Sequence, residues 1–348
     1  MAPTLNTIYF YNKICNLRCR HCWIEPASGD TPAAAALTFP EVQDLFLQGK
    51  SLGMTGAKLT GGEPLLLPYI LPLLRFLRHE KLSLVVETNG TLIDDEMAAA
   101  LKEARAFVSV SLDGTTEAIH NLLRAAPGSF EAALQGIRRL TKAGLSPQII
   151  FSLHRKNAHN LPAMIDSARS LGARSLKINL IRGIGRAKEI EADDELVSAE
   201  EFIHLYREYK DRGGEGFEVL FDIPAAFKRI SEISQGGCGT CGIMGIIGVL
   251  SDGTVSLCGI GNIVDDLCFG NIRQHPLAQI WENTPTLRFI REEIPAALEG
   301  ICGRCILKGM CLGKCMANTY YSTGCLTKGH LFCEEAYRAG LFPAGRLL

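Results

Sequence analysis

The chain has 348 residues, 47% of them apolar, and its 36 basic and 37 acidic side chains nearly cancel. That length suits a catalytic domain of about 200 residues with an appended module, and the balanced charge lacks the electrostatic footprint of a nucleic-acid binder. The opening Met-Ala-Pro-Thr-Leu-Asn has no basic region followed by an apolar one, and the apolar stretch Leu65–Leu77 is broken by Pro68, Pro72 and Arg75, far short of the roughly 20 residues a bilayer needs. A cytoplasmic protein without a membrane partner is expected. Thirteen cysteines in such a chain point to metal or redox chemistry, because cytosolic thiols are kept reduced.

From residue 7 to about 181, short apolar strands alternate with amphipathic helical segments, as parallel β/α units do. Strands are predicted at Ile8–Tyr11, Ala57–Leu59, Ser83–Glu87, Phe107–Ser111, Gln148–Leu153 and Ser175–Leu180. Helices are predicted at Phe39–Leu52, Leu66–Glu80, Asp94–Ala104, Phe130–Ala143 and Asn160–Leu171, several closed by a glycine at the C-terminus (Gly53, Gly144, Gly172). Six such units predict an α/β fold, a partial (β/α)6 TIM-like barrel over residues 1–185, with its chemistry at the C-terminal ends of the strands. Residues 186–236 read as a bridging segment. Its acidic run, Glu189 to Glu201, suits a solvated loop and helix N-terminus, and a helical stretch to Tyr209 and a short strand at Phe217–Phe221 follow. Residues 237–348 form a Cys-rich module: three cysteines precede residue 23, none lies between 23 and 237, and ten fall from Cys238 to Cys333.

The first strand runs into Cys15-Asn-Leu-Arg-Cys19-Arg-His-Cys22. Three thiolates on a four-iron cubane leave one iron open for a substrate or cofactor, whereas an electron-transfer cluster normally has four. Zinc is the competing reading, but zinc ligands come as closing pairs, and His21 lies between two of the cysteines. The second strand ends in Gly61-Gly62-Glu63-Pro64, where paired glycines allow close backbone approach to a ligand. The third ends in Glu87-Thr88-Asn89-Gly90, whose polar side chains are expected to face the same pocket. The fourth ends in Ser111-Leu112-Asp113-Gly114, followed by His120 and Arg124. An arginine fork suits a carboxylate, while an isolated histidine reads equally well as a surface helix residue. The sixth strand carries Asn179, and Gly183-Ile184-Gly185-Arg186-Ala187 after it also reads as a plain turn.

In the last module, Cys241 is followed after eleven residues by Gly253, in a hairpin turn, and after four more by Cys258; then come Cys302-x-x-Cys305, Cys311, Cys315 and Cys333. With Cys238 these give eight thiolates, enough for two fully ligated four-iron clusters suited to electron transfer or structure. Cys268 and Cys325 are left over. A zinc ribbon over 302–315 is the alternative.

The first cysteine run, with Trp23 directly after it, resembles the signature of radical S-adenosylmethionine (SAM) enzymes, and the C-terminal spacing resembles the SPASM module of one branch of that superfamily. The Phe269-Gly270-Asn271-Ile272 and Ile280-Trp281 segments are similar to its linker. The resemblance covers about residues 7 to 335. It implies a catalytic [4Fe–4S] cluster on Cys15, Cys19 and Cys22 that binds SAM and yields a 5′-deoxyadenosyl radical. It further implies that Gly61, Gly62 and Glu63 hold the methionine amino group, that Ser111 contacts the ribose or carboxylate, that Arg124 pairs with the carboxylate, that Asn89, Asp113 and Asn179 belong to the same cofactor pocket, and that residues 177–181 and 183–187 resemble its adenine-side strand and loop. Two auxiliary clusters are implied, one on Cys238, Cys241, Cys258 and Cys315, the other on Cys302, Cys305, Cys311 and Cys333, with Cys325 able to replace Cys333.

A peptide or protein substrate is the substrate class implied first, through crosslinking or epimerisation in ribosomal-peptide maturation. Tetrapyrrole decarboxylases of the haem pathway and sulfatase-maturating enzymes are the enzymatic alternatives. The sulfatase group usually has an aspartate after the cysteine that Cys258 matches, where this chain has Gly259. The partners expected are a flavodoxin- or ferredoxin-type reductant and, because the first strand begins near residue 7, a separate leader-peptide-binding protein where a leader must be recognised, unless the bridging segment does this itself. A non-enzymatic iron–sulfur carrier is disfavoured by the three-cysteine motif.

Overall fold

A computed structural model describes residues 3–28, 36–234 and 241–348. Its body is one ten-stranded sheet. All six predicted strands are present: β1 Thr7–Asn12, β2 Gly56–Gly61, β3 Ser83–Thr88, β4 Phe107–Ser111, β5 Gln148–Leu153 and β6 Ser175–Leu180. The strand of the bridging segment, β7 Glu218–Phe221, extends this parallel run. Strand β5 is buried at every position, the pattern of a parallel strand covered on both faces.

At the other edge, three strands of the Cys-rich segment join the same sheet: β8 Ile246–Leu250, β9 Thr254–Ser256 and β10 Cys268–Asn271. Strand β8 lies parallel to β1, pairing Thr7 with Ile246 through Tyr11 with Leu250, and β9 folds back antiparallel. The order is β10-β9-β8-β1-β2-β3-β4-β5-β6-β7. The sheet therefore runs across the sequence positions where two modules were expected to part. Gly253 sits in the predicted hairpin turn at φ +89°, the left-handed region that glycine enters without penalty.

The helices cover the sheet. They include α1 Phe39–Ser51, α2 Ile70–His79, α3 Asp95–Glu103, α4 Glu117–Arg124, α5 Ser129–Lys142 and α6 Leu161–Ser170. Thr38 and Glu41 form a capping box at the start of α1, satisfying two orphan donors of its first turn. A second box, Ser198 with Glu201, opens α7 Ala199–Tyr209 within the acidic run, so those charges favour a helix N-terminus as expected. The helix α4 was not foreseen as a separate element; it carries both His120 and Arg124. Among the described residues no helix is long and apolar enough to cross a membrane.

Because β1 to β7 are parallel, their C-terminal ends open on one side. The cysteine loop, Glu63, Asn89, Asp113, His154, Asn179 and Asp222 all lie at or just past those ends.

Candidate active site

The cysteine loop is tied to β2 by backbone. The Gly62 N–H donates to the Asn12 carbonyl at 2.6 Å, the Glu63 N–H to the Ile14 carbonyl at 2.9 Å, and the Asn12 amide to the Glu63 carbonyl at 2.8 Å. A Cβ on Gly62 would stand 2.2 Å from the Ile14 carbonyl oxygen, and one on Gly61, at φ +109°, 2.5 Å from the Asn12 nitrogen. The close approach expected of these glycines is thus made by the chain's own loop. Glu63 is fully buried. Its carboxylate accepts from the Leu65 N–H at 3.0 Å, the Thr88 hydroxyl at 2.7 Å and the Asn89 N–H at 2.8 Å, while burial pushes its carboxyl up to about 7 against those donors. The carboxylate expected to hold an amino group is engaged inside the protein, joining the ends of β2 and β3. Asn89 adds a strut, its amide donating to the Asn16 side chain at 2.8 Å.

Arg124 braces the loop from the other side. Its Nη1 donates to the Cys19 sulfur at 3.6 Å and its Nε to Asp113 at 2.6 Å. The carboxylate expected opposite this arginine is therefore, in this structure, the chain's own Asp113. Both members are buried. The other Asp113 oxygen accepts from the Ser152 N–H at 2.8 Å. Burial alone would raise the Asp113 carboxyl, but Arg124, His21 and His120 outweigh it and hold the group below its ordinary value. His120 is not a surface residue: it is 2% exposed, its Nδ1 accepts from the Asp113 N–H at 3.2 Å, and burial lowers its pKa to about 4.

The turn at 183–187 is a third clamp. The Arg186 N–H donates to the Cys22 carbonyl at 3.1 Å and its Nε to the Cys19 carbonyl at 2.9 Å. Gly185, at φ +59°, leaves room for the Cys22 carbonyl, which a Cβ would meet at 2.7 Å. The loop carrying Arg186 stands out in the sequence, but a brace on the cysteine loop was not expected of Arg186 itself. The available signal was a cation and a glycine placed directly after a strand end.

Cys19 is buried, while Cys15 and Cys22 are half-buried. The Cys15 sulfur accepts from the Leu17 N–H at 3.4 Å, and burial pushes its thiol up to about 12, so metal loading must displace a tightly held proton. Among the described residues no three His, Cys, Asp or Glu side chains converge as on a single ion; a cubane takes its thiolates at separate corners. Ser111 is half-buried at the end of β4. Asn179 Oδ1 is buried and has no hydrogen-bond partner among the described residues, a condition that costs about 1–3 kcal/mol and that a ligand donor would relieve. Inward N–H···S bonds, an arginine on Cys19 and an orphaned acceptor on β6 fit a cluster and a polar cofactor.

Four C-terminal thiols share one cavity. Cys302, Cys305, Cys311 and Cys333 line one small cavity of about 20 Å³, with the His330 N–H donating to the Cys302 sulfur at 3.2 Å and the Leu307 N–H to the Cys305 sulfur at 3.4 Å. Such N–H···S bonds stabilise a thiolate ligand. Cys325 does not line the cavity; its sulfur lies 3.2 Å from the Thr327 hydroxyl. Cys241, Cys258 and Cys315 form a second group within electrostatic reach of one another. Cys238, the expected fourth member, lies outside the described residues.

Also unforeseen is a set of side chains on β1 to β3 facing this second group. Lys58 pairs with Glu87 at 2.7 Å and lies 4.9 Å from the Tyr9 ring centre. A cleft of about 940 Å³ runs between 182–198 and the C-terminal segment, with Arg182, Lys188, Tyr320 and Tyr321 in its walls.

Comparisons with known proteins agree with this geometry. The Radical SAM superfamily model matches residues 9–168, and a SPASM iron-sulfur cluster-binding domain model matches 238–306. AdoMet-dependent heme synthase of Methanosarcina barkeri is 30% identical, covering 94% of each chain. The subtilosin biosynthesis protein AlbA of Bacillus subtilis is 27% identical over 85% of this chain and 66% of its own. Streptococcus suis SuiB bound to S-adenosylmethionine superposes with a TM-score of 0.74 at 15% identity, covering 95% of this chain and 78% of that one. With a relative 30% identical along nearly the whole chain, and family models matching both segments, the protein belongs to the radical SAM superfamily, in its SPASM-containing branch, and is an enzyme that uses iron–sulfur clusters and SAM.

Proposed function

We propose that this enzyme removes carboxyl groups from the propionate side chains of an iron tetrapyrrole, forming haem-type vinyl groups. The observation that carries this reading is the similarity to AdoMet-dependent heme synthase along 94% of both chains. A SAM-bound cluster supplies a carbon-centred radical that takes a hydrogen atom from an unactivated carbon. After that abstraction, a propionate radical gives a vinyl group, carbon dioxide and one electron. That electron needs an acceptor within the protein, and the two C-terminal thiol groups supply sites for one.

The cleft, whose walls carry both cations and carboxylates, offers aromatic faces to a flat ligand. Lys188 lies 5.1 Å from the Tyr321 ring centre and Arg182 5.3 Å from that of Phe332, so cationic groups stand beside aromatic faces. The volume falls within the range of small-molecule sites. The one-electron reductant would be a flavodoxin or ferredoxin.

A peptide substrate is the second reading, favoured by the similarity to AlbA; it carries the separate leader-binding protein with it. Anaerobic incubation of reconstituted enzyme with SAM, dithionite and either iron coproporphyrin or a candidate precursor peptide separates the two. The expected result is 5′-deoxyadenosine together with stepwise loss of carbon dioxide and two hydrogens from the porphyrin. An unaltered porphyrin beside a modified peptide would reverse the choice. Cys19→Ala should abolish 5′-deoxyadenosine formation.

A further inference from the structure

The segment joining the two C-terminal thiol groups is Cys311-Leu312-Gly313-Lys314-Cys315. Cys311 lines the four-thiol cavity, whereas Cys315 belongs with Cys241 and Cys258. The three residues between them are all left-handed, at φ +52°, +73° and +61°. Glycine takes this conformation freely, but leucine and lysine take it against steric resistance from the Cβ. A strained lysine persists only where its surroundings hold it. Here they do. Lys314 is buried, its side chain 8% exposed, and its ammonium donates to Asp222 at 2.7 Å. Asp222 follows the end of β7 and also faces Lys177 and His330.

The ammonium thus occupies a fixed place within electrostatic reach of both Cys311 and Cys315. Reducing a cluster adds one negative charge, and a fixed cation beside it favours the reduced form, the more so in a site screened from water. The Asp222 carboxylate, whose side chain is more exposed than that of Lys314, opposes this and itself lies within electrostatic reach of Cys315.

We propose that Lys314, held by Asp222, is a positioning residue that raises the reduction potentials of both auxiliary clusters, so that they accept the electron released when the substrate radical becomes product. This rests on the reading of Cys311 and Cys315 as ligands of two different clusters. In the step concerned, the substrate radical is oxidised by one electron and an auxiliary cluster is reduced by one.

The test is a redox titration of anaerobically reconstituted protein, followed by electron paramagnetic resonance, with iron counted per chain. Lys314→Gly removes the charge and relieves the backbone strain at once, so a purely structural lysine would be replaced without effect on potential. The expected result is a shift of the auxiliary midpoints to more negative values by about tenfold in the reduction equilibrium, about 59 mV for one electron. The midpoint of the cluster on Cys15, Cys19 and Cys22 stays in place, and Lys314→Arg restores the wild-type values. Asp222→Asn, which leaves the cation and removes its counter-charge, moves the auxiliary midpoints the opposite way. If Lys314→Gly fails to retain iron, the sign of the Asp222→Asn shift decides. Unchanged auxiliary potentials at full iron content, or an equal shift of all three clusters, overturns the proposal. Wild-type protein holding iron for fewer than three clusters removes the cluster assignment beneath it.

Discussion

Asp113→Asn tests the internal brace of the active site most sharply. In the wild type, a carboxylate with no exposed surface meets the Arg124 Nε at 2.6 Å and the Ser152 N–H at 2.8 Å. Asparagine keeps the shape and an acceptor for Ser152 but leaves the guanidinium buried without a counter-charge. Breaking one side of a buried pair costs about 3–5 kcal/mol, whereas removing both sides costs much less. Arg124→Met alone should therefore be comparably severe, and Asp113→Asn/Arg124→Met should lose less than the sum by about 2 kcal/mol. The assay is urea unfolding of the apoprotein under reducing conditions at pH 7, where cluster loss cannot contribute and a midpoint shift at constant slope reports stability. The pH dependence adds a sign. The Asp113 carboxyl is held below its ordinary value, so its contribution is present above the unfolded pKa of about 4 and is lost as pH falls through the folded value; Asp113→Asn should lack that slope. A loss under about 1 kcal/mol for Asp113→Asn, or additivity within about 0.5 kcal/mol, would refute the reasoning.

Other consequences are as direct. His120 is buried with its pKa lowered to about 4, below the unfolded value of about 6.5, so the unfolded chain binds the proton first; stability should fall by about 2 kcal/mol from pH 7 to pH 5 on this account, and His120→Gln should remove that increment from the urea midpoints. Gly62→Ala places a Cβ 2.2 Å from the Ile14 carbonyl oxygen and should cost about 1–3 kcal/mol, with loss of iron from the first cluster in a per-chain iron assay. Cys333→Ala should release the iron of one auxiliary cluster and Cys325→Ala should not, because only Cys333 lines the four-thiol cavity; equal iron in both variants would reverse that assignment.

The strands and the clustering of cysteines at the two ends of the chain were legible in the sequence because their signals are local. Apolar runs of four to six residues between turn-forming residues mark β1 to β6, and fixed spacings mark the thiols. Strand β8 was not legible as part of the main sheet, since Ile246–Leu250 finds its partner some 240 residues away at Thr7–Tyr11, a pairing that no window of sequence contains. The same distinction governs the site. The motifs were in the right places, at strand ends, but which polar groups remain free for a ligand depends on contacts between motifs: Glu63 with Asn89 and Thr88, Arg124 with Asp113 and Cys19, Arg186 with the Cys19 carbonyl. A buried carboxylate or guanidinium must be satisfied before any cofactor arrives, so groups that a motif suggests as ligand contacts are claimed first by neighbouring motifs. The cofactor pocket is then defined by what those internal bonds leave over, and Asn179 Oδ1, which no donor among the described residues reaches, is the clearest such remainder.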